Sequence, residues 1–155
     1  MSITFRRATE GDARPAADLW LRARTAAVGV IPATVHDDDD VRQWFASHVV
    51  PDTEPWVAED GAGALVGILV LEGRWLDQLY VEPTMTGRGI GSGLVDLAKR
   101  ERPQGLRLWT FASNLSAQRF YERHGFVATH RTDGRGNEEG APDILYVWGG
   151  HGGAR

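Results

Sequence analysis

Thr86-Gly87-Arg88-Gly89-Ile90-Gly91 is the stretch on which the reading of this chain turns. Ahead of it, Trp75 to Val81 has the character of a strand, and Pro83 closes it. Behind it, Ile90, Leu94, Leu97 and Ala98 mark one face of a helix ending near Pro103-Gln104-Gly105. Strand, glycine-rich turn and helix together make an anion site. The first helical N–H groups lack partners, and the aligned peptide dipoles place partial positive charge beside them. Gly87, Gly89 and Gly91 remove side chains that would hold a phosphate away, and Arg88 adds charge near the rim. A Walker loop is excluded because no Gly-Lys-Ser/Thr ends the turn, and a dinucleotide fingerprint fails because Ser92 and Leu94 stand where its third glycine belongs. On the glycines alone, a tight turn with no ligand remains the alternative.

Working back from the turn, Trp56 to Glu59, Ala64 to Leu71 and Trp75 to Val81 read as three consecutive strands. Asp60-Gly61 and Glu72-Gly73-Arg74 are their turns, which predicts an antiparallel meander. Further upstream, Ile3 to Ala8 alternates as a strand. Asp12 is the expected N-cap of an amphipathic helix carrying Leu19, Trp20, Ala23 and Ala27. The run Asp37 to Asp40 reads as a charged helix entrance in front of Val41, Trp44, Phe45 and Val49, in preference to a cation site built with His36. Downstream, Leu106 to Phe111 is a strand, and Ser116 to Arg123 a short helix capped by Gly125. Phe126 to Thr132 and Ile144 to Trp148 are the last strands, joined by the polar loop Asp133 to Pro142. The expected class is α/β (α+β), one domain over residues 1–149, with a flexible glycine-rich tail at 150–155.

Composition removes several function classes. The 155 residues are 42% hydrophobic and 25% charged, ordinary values for a globular domain. A net charge of −4 gives no general attraction to nucleic acid. With no cysteine, neither disulfides nor an acyl-cysteine intermediate can be used, and the cytoplasm is the expected compartment. The longest apolar run, Ala62 to Leu71, is too short to span a bilayer. The five histidines show no metal-ligand spacing, so no metal is expected.

Val81-Glu82-Pro83 followed by Gly87-Arg88-Gly89-Ile90-Gly91 resembles the acetyl-CoA-binding segment of the GNAT superfamily of N-acetyltransferases. Thr86 stands where that family carries Gln or Arg, which leaves the phosphate grip to main-chain N–H groups from Arg88 to Ser92. Asn114 to Phe126 resembles the family's second signature, Asn-x-x-Ala-x-x-Phe-Tyr-x-x-x-Gly-Phe. The likeness spans roughly Ile3 to Trp148. It implies a central mixed, mostly antiparallel sheet flanked by helices, with acetyl-CoA in the cleft between the strand ending at Val81 and the one ending near Phe111.

The resemblance also implies the chemistry. An amine attacks the thioester carbonyl directly and coenzyme A leaves as thiolate. An alkylamine of pKa about 10.4 is neutral in only about one molecule in a few thousand at neutral pH, so deprotonation corresponds to roughly 4 to 5 kcal/mol. Tyr121 matches the family's tyrosine near the sulfur, a proton or hydrogen-bond donor to the leaving group; packing in the core is its bland alternative. Asp77, placed on one face with Trp75 and Leu79 if the strand pairs regularly, is the candidate base or ammonium site, Glu72 the weaker one. Main-chain groups of Leu79, Tyr80 and Val81 match those that hold the pantetheine arm. Asn114 matches the asparagine beside it, and an N-cap role fits equally.

Further expectations are more open. Trp75 and Trp109 are candidate acceptor walls, and His130 a lesser lining residue. The segment from Asp133 to Glu139, with Pro142-Asp143, is either an acidic lip or a solvated loop. Ala26 to Pro51 and this late loop are the parts expected to shape the acceptor pocket. The resemblance admits a homodimer through a sheet edge or the C-terminus. Against the enzyme stand two rivals: a catalytically silent acyl-CoA-binding sensor, and a nucleotide-binding enzyme, which the glycine spacing disfavours.

Overall fold

A computed structural model describes residues 2–149; the tail expected at 150–155 lies outside them. The chain opens with β1 (Thr4–Arg7) and a 3-10 turn, Glu10–Asp12, leading into α1 (Ala13–Ala26). Asp12 does not cap α1 as expected: its backbone is already helical and its side chain accepts no bond from that helix. It instead closes a capping box with Thr9, whose N–H donates to Asp12 Oδ2 at 2.7 Å. The cause is Arg6, whose guanidinium grips both oxygens of Asp12 at 2.7 and 3.0 Å and reaches Glu59 at 3.1 Å. Bonded to Arg6, the Asp12 carboxyl titrates below its ordinary range.

Asp37 caps α2 (Asp38–Trp44) by accepting the Asp40 N–H at 2.8 Å, so the acidic run is a helix entrance. The helix then widens into a π turn, Phe45–Val49, before α3 (Val50–Asp52). Pro51 explains the widening, since it has no N–H for the carbonyl of Ser47 and its ring crowds that group.

The expected meander follows as β2 (Glu54–Glu59), β3 (Leu65–Glu72) and β4 (Trp75–Val81), paired antiparallel. Then come α4 (Ile90–Glu101), β5 (Leu106–Phe111), α5 (Leu115–Arg123), β6 (Val127–Thr132) and β7 (Asp143–Trp148). Gly125, with φ +86°, ends α5 in a Schellman motif: its N–H reaches Glu122 O, and Phe126 N–H reaches Tyr121 O, both at 3.0 Å.

The seven strands lie in the order β1-β2-β3-β4-β5-β7-β6, with β4–β5 the parallel pair among antiparallel ones. Leu94 and Val95 of α4 and Tyr121 of α5 bury against Leu69, Leu71, Leu106, Leu108 and Ile144 on one face. On the other, Leu19 and Trp20 of α1 and Phe45 bury against Val57, Ile68 and Val70. Each such aliphatic side chain removed from water contributes roughly 1.5–3 kcal/mol. Gly67 lets α4 sit close on β3, since a Cβ there would meet Ile90 Cγ2 at 3.0 Å and Leu94 Cδ1 at 3.1 Å.

Two irregularities place the site. Leu71 pairs with Leu76 and Val70 with Gln78, so Asp77 is the extra residue of a β-bulge. And β4 meets β5 at one register pair, Trp75 with Arg107, after which the strands part.

Candidate active site

Below the parted strands lies the glycine turn. Thr86 is extended, Gly87 has φ +77°, and Gly89 has φ +82° as the N-cap of α4. The first bond of the helix runs from Gly93 N–H to Gly89 O at 3.0 Å, so the N–H groups of Ile90, Gly91 and Ser92 have no backbone acceptor among the described residues. The glycines serve different ends. A Cβ on Gly87 or Gly89 would meet nothing within 4 Å, so these two are needed for their left-handed backbone. Gly91 admits the ring of Phe120, 3.3 Å from where its Cβ would stand.

The unpaired N–H groups face a cleft of about 740 Å³. Its walls are Thr86, Gly87 and Gly89 to Ser92 from the turn, Leu79 to Val81 from the free edge of β4, and Asn114 and Tyr121 from the α5 region. These are the cofactor residues read from the sequence, with the exception of Arg88, which is exposed at the rim and does not line the cleft. Ala26, Ala27 and Ile31, from the stretch expected to shape the acceptor pocket, instead close this cleft at and just beyond the end of α1. Ala23 of α1 and Phe120 and Arg123 of α5 line it without having been singled out from the sequence as cofactor residues. Phe120 was legible in the Phe-Tyr pair of its motif. The small residues of α1 carry no such signal.

Asn114 caps α5, its side-chain oxygen accepting the Ala117 N–H at 3.1 Å, and it lines the cleft as well. Tyr121 is held by rings: Phe120 at 5.1 Å and Phe126 at 5.4 Å between centroids. Burial, and secondarily Tyr80, push its phenol above the ordinary tyrosine value, so it stays protonated at neutral pH. Its hydroxyl has no hydrogen-bond partner among the described residues, and it opens on the cleft.

Asp77 does not share a face with Leu79. The bulge turns Leu79 and Val81 toward the α4 core and leaves Asp77 with Trp75 in a second cavity of about 410 Å³. Trp109 and Phe111 of β5 form its other wall, and the rings of Trp75 and Trp109 lie 12° from parallel with centroids 6.5 Å apart. Asp77 lines this recess and is itself exposed to solvent. The surrounding walls desolvate its carboxyl and raise it above the ordinary range, and Glu72 adds to the rise. Its one side-chain bond is a weak one from Gln78 Nε2 at 3.4 Å. Glu72 itself is exposed at the β3–β4 turn and, like His130, does not line this cavity.

The late loop supplies Glu139 to the same cavity, and the start of β7 supplies Asp143. Both are already engaged. Glu139 faces Arg24 of α1 at 3.7 Å, with side chains only 13% and 8% exposed, and Asp143 accepts from Thr132 Oγ1 and from Asn137 Nδ2 at 3.1 Å. Glu138 binds His36 at 3.0 Å, which lifts the imidazole above its usual value. The loop is therefore tied down by its acids, neither a free lip nor a merely solvated turn. No group of three or more His, Asp or Glu suited to a metal occurs among the described residues. Nor is any described helix long and apolar enough to cross a membrane.

A sequence profile described as "Acetyltransferase (GNAT) domain" matches residues 51–128, half of the chain. The chain belongs to the GNAT acetyltransferase family. It is 30% identical over 111 residues to the peptidyl-lysine N-acetyltransferase YiaC of Escherichia coli, covering 70% of this chain and 73% of that one. To the peptidyl-lysine N-acetyltransferase YjaB of Salmonella typhimurium it is 28% identical over 133 residues, 86% and 89% of the two chains. The solution structure of apo YjaB from Escherichia coli shares the fold, with a TM-score of 0.77 over 97% of this chain and 100% of that one at 24% identity. This GNAT chain is thus an N-acetyltransferase, and its cosubstrate is acetyl-CoA. The cleft fits that molecule chemically. Unpaired amides at the start of α4 suit a diphosphate, while the free edge of β4 and the alanines of α1 suit a narrow, amide-bearing pantetheine arm.

Proposed function

We propose that the enzyme acetylates the side-chain amine of lysine by direct attack on acetyl-CoA, within a single domain over residues 1–149 that works in the cytoplasm. The observation that carries this reading is the second cavity, where Trp75 and Trp109 stand with Asp77, a carboxylate that forms no ion pair among the described residues and has only a weak bond from Gln78. Aromatic walls suit the unbranched alkyl stem of lysine, and an unpaired carboxylate suits its ammonium. An acceptor whose amine adjoins its own carboxylate would face Asp77, Glu139 and Asp143 together, which disfavours free amino acids as α-amine acceptors. The peptidyl-lysine specificity of the relatives agrees with this choice.

In the proposed step the bound ammonium gives one proton to Asp77, directly or through water, the freed lone pair bonds to the carbonyl carbon, and the nitrogen releases its second proton to solvent as the amide forms. The C–S bond breaks and its electron pair stays on sulfur. The Tyr121 hydroxyl donates a hydrogen bond to that sulfur, and solvent completes the thiol. A phenol above pKa ~10 is a weaker acid than a thiol near ~8.5, so full transfer from Tyr121 would run uphill and the hydrogen bond is the operative contribution. Backbone groups of Leu79, Tyr80 and Val81 hold the pantetheine arm, Asn114 supports it, and N–H groups from Arg88 to Ser92 hold the diphosphate. A homodimer is compatible with this reading.

Free-thiol release from acetyl-CoA tests the proposal. An Nα-acetyl-lysine amide or a lysine-containing peptide should release thiol well above glycine or another α-amine acceptor. Faster release with α-amines would overturn the acceptor assignment, and tight coenzyme A binding with no release for any amine would favour the sensor.

Asp77→Asn should lower kcat/KM by roughly 10²-fold, in the range general bases contribute, and remove the acidic limb of the pH profile. The same change should raise the melting temperature at neutral pH. A folded-state pKa above the unfolded one favours the protonated form, so Asp77 adds stability only at pH below the ordinary carboxylate value and loses it as pH rises through the shifted one. Calorimetric melting at both ends of that window checks the sign: the gain for the Asn variant should vanish in acid.

A further inference from the structure

Arginines stand on the glycine turn and on α5, two elements that wall the cofactor cleft. Arg88, Arg119 and Arg123 form no ion pair among the described residues, in a chain whose net charge is −4. Arg119 and Arg123 stand one helical turn apart on α5, where like charges repel. Glu122, the acid between them, is taken by the Tyr146 hydroxyl at 2.8 Å. Of these three arginines only Arg123 lines the cleft. Its neighbour His124 bonds Ser92 Oγ at 3.1 Å, which pins the end of α5 to the first turn of α4. That imidazole is held below its usual pKa by burial first, then by Lys99, with Arg123 adding to the effect, so it stays neutral. Lys99 is taken up by the His124 carbonyl and the Trp148 ring, and Arg123 is the neighbouring cation that lines the cleft.

Coenzyme A carries two anionic groups, a diphosphate and a 3′-phosphate monoester. The unpaired amides of Ile90, Gly91 and Ser92 provide for one of them. Arg123 lines the same cleft as that amide cluster, from a different helix, with a charged, forked donor suited to a phosphate monoester. We propose that Arg123 binds the 3′-phosphate of coenzyme A and makes the enzyme distinguish the cosubstrate from its 3′-dephospho form. This rests on the reading of the cleft as the coenzyme A site.

Isothermal calorimetry with coenzyme A and 3′-dephospho-coenzyme A on the full chain decides it. The parent enzyme should bind coenzyme A about ten-fold or more tightly than the dephospho form, the value of one hydrogen-bonded charge pair. Arg123→Gln should erase that difference by weakening coenzyme A alone, Arg123→Lys should restore part of it, and Arg119→Gln should behave as the parent. An equal loss for both ligands would overturn the assignment in favour of a diphosphate contact. No loss, or the same loss in Arg119→Gln, would reduce Arg123 to a charge at a helix end. If the parent enzyme binds neither ligand, the cleft itself has been misassigned and the inference falls with it.

Discussion

Tyr121→Phe should lower kcat by about 10²- to 10³-fold, the usual loss on deleting one donor to a developing anion, with coenzyme A affinity within about twofold of the parent. The prediction separates two roles that the residue combines. Its ring is a core element, packed on Phe120 and Phe126 and 8% exposed, and phenylalanine preserves all of that. Only the hydroxyl is lost, and it holds no protein partner among the described residues, so the fold gives up no internal hydrogen bond. If the hydroxyl serves the leaving sulfur, the loss falls on the chemical step alone. Single-turnover thiol release together with a separate measurement of coenzyme A binding checks this. Unchanged turnover would leave Tyr121 a purely structural residue, and a fall confined to affinity would make it a cofactor contact.

Gly89→Glu should abolish measurable coenzyme A binding, a loss of more than about 100-fold, which corresponds to upwards of about 2.7 kcal/mol. Glycine here has φ +82°, so any side chain costs roughly 1–2 kcal/mol of backbone strain. That part is shared by Gly89→Ala, which is the proper control. Space is not the difficulty in the free protein, because a Cβ meets nothing within 4 Å. The glutamate variant should therefore fold. Its carboxylate would stand at the N-terminus of α4, occupying the place and the charge of the diphosphate and satisfying the amides in its stead. The thermal shift that coenzyme A gives the parent protein should disappear in the glutamate variant and survive, reduced, in the alanine one. Normal binding by the glutamate variant would mean that the phosphates lie elsewhere.

Local periodicity and turn chemistry made most of the framework readable: the meander from Glu54 to Val81, the helix after Gly89 and the Gly125 cap all follow from neighbours in sequence. What stayed hidden depends on partners far along the chain. Asp12 looked like a helix cap because nothing local reveals that Arg6 and Glu59 compete for that corner. Regular alternation placed Asp77 with Leu79, whereas a one-residue bulge reverses the face of everything after it. The acids of the late loop looked solvated because Arg24 and His36, which bind them, lie on the opposite side of the sequence. The glycine turn was correctly located but its residues were given one shared purpose. Gly87 and Gly89 set backbone conformation, and Gly91 admits Phe120.

The parting of β4 from β5 has a further effect, on colloidal behaviour. An open sheet normally has two edges, and each is a template for pairing with another chain. This one has four, since the unpaired stretches of β4 beyond Trp75 and of β5 beyond Arg107 add two inner edges to those of β1 and β6. The inner edge of β4 lies in a cleft walled by the end of α1 and by α5, too confined for a strand with side chains on both faces. A thin chain of amides and methylenes can enter where a foreign polypeptide cannot. The walls that shape the cosubstrate site therefore also keep an exposed strand edge from becoming an aggregation seed.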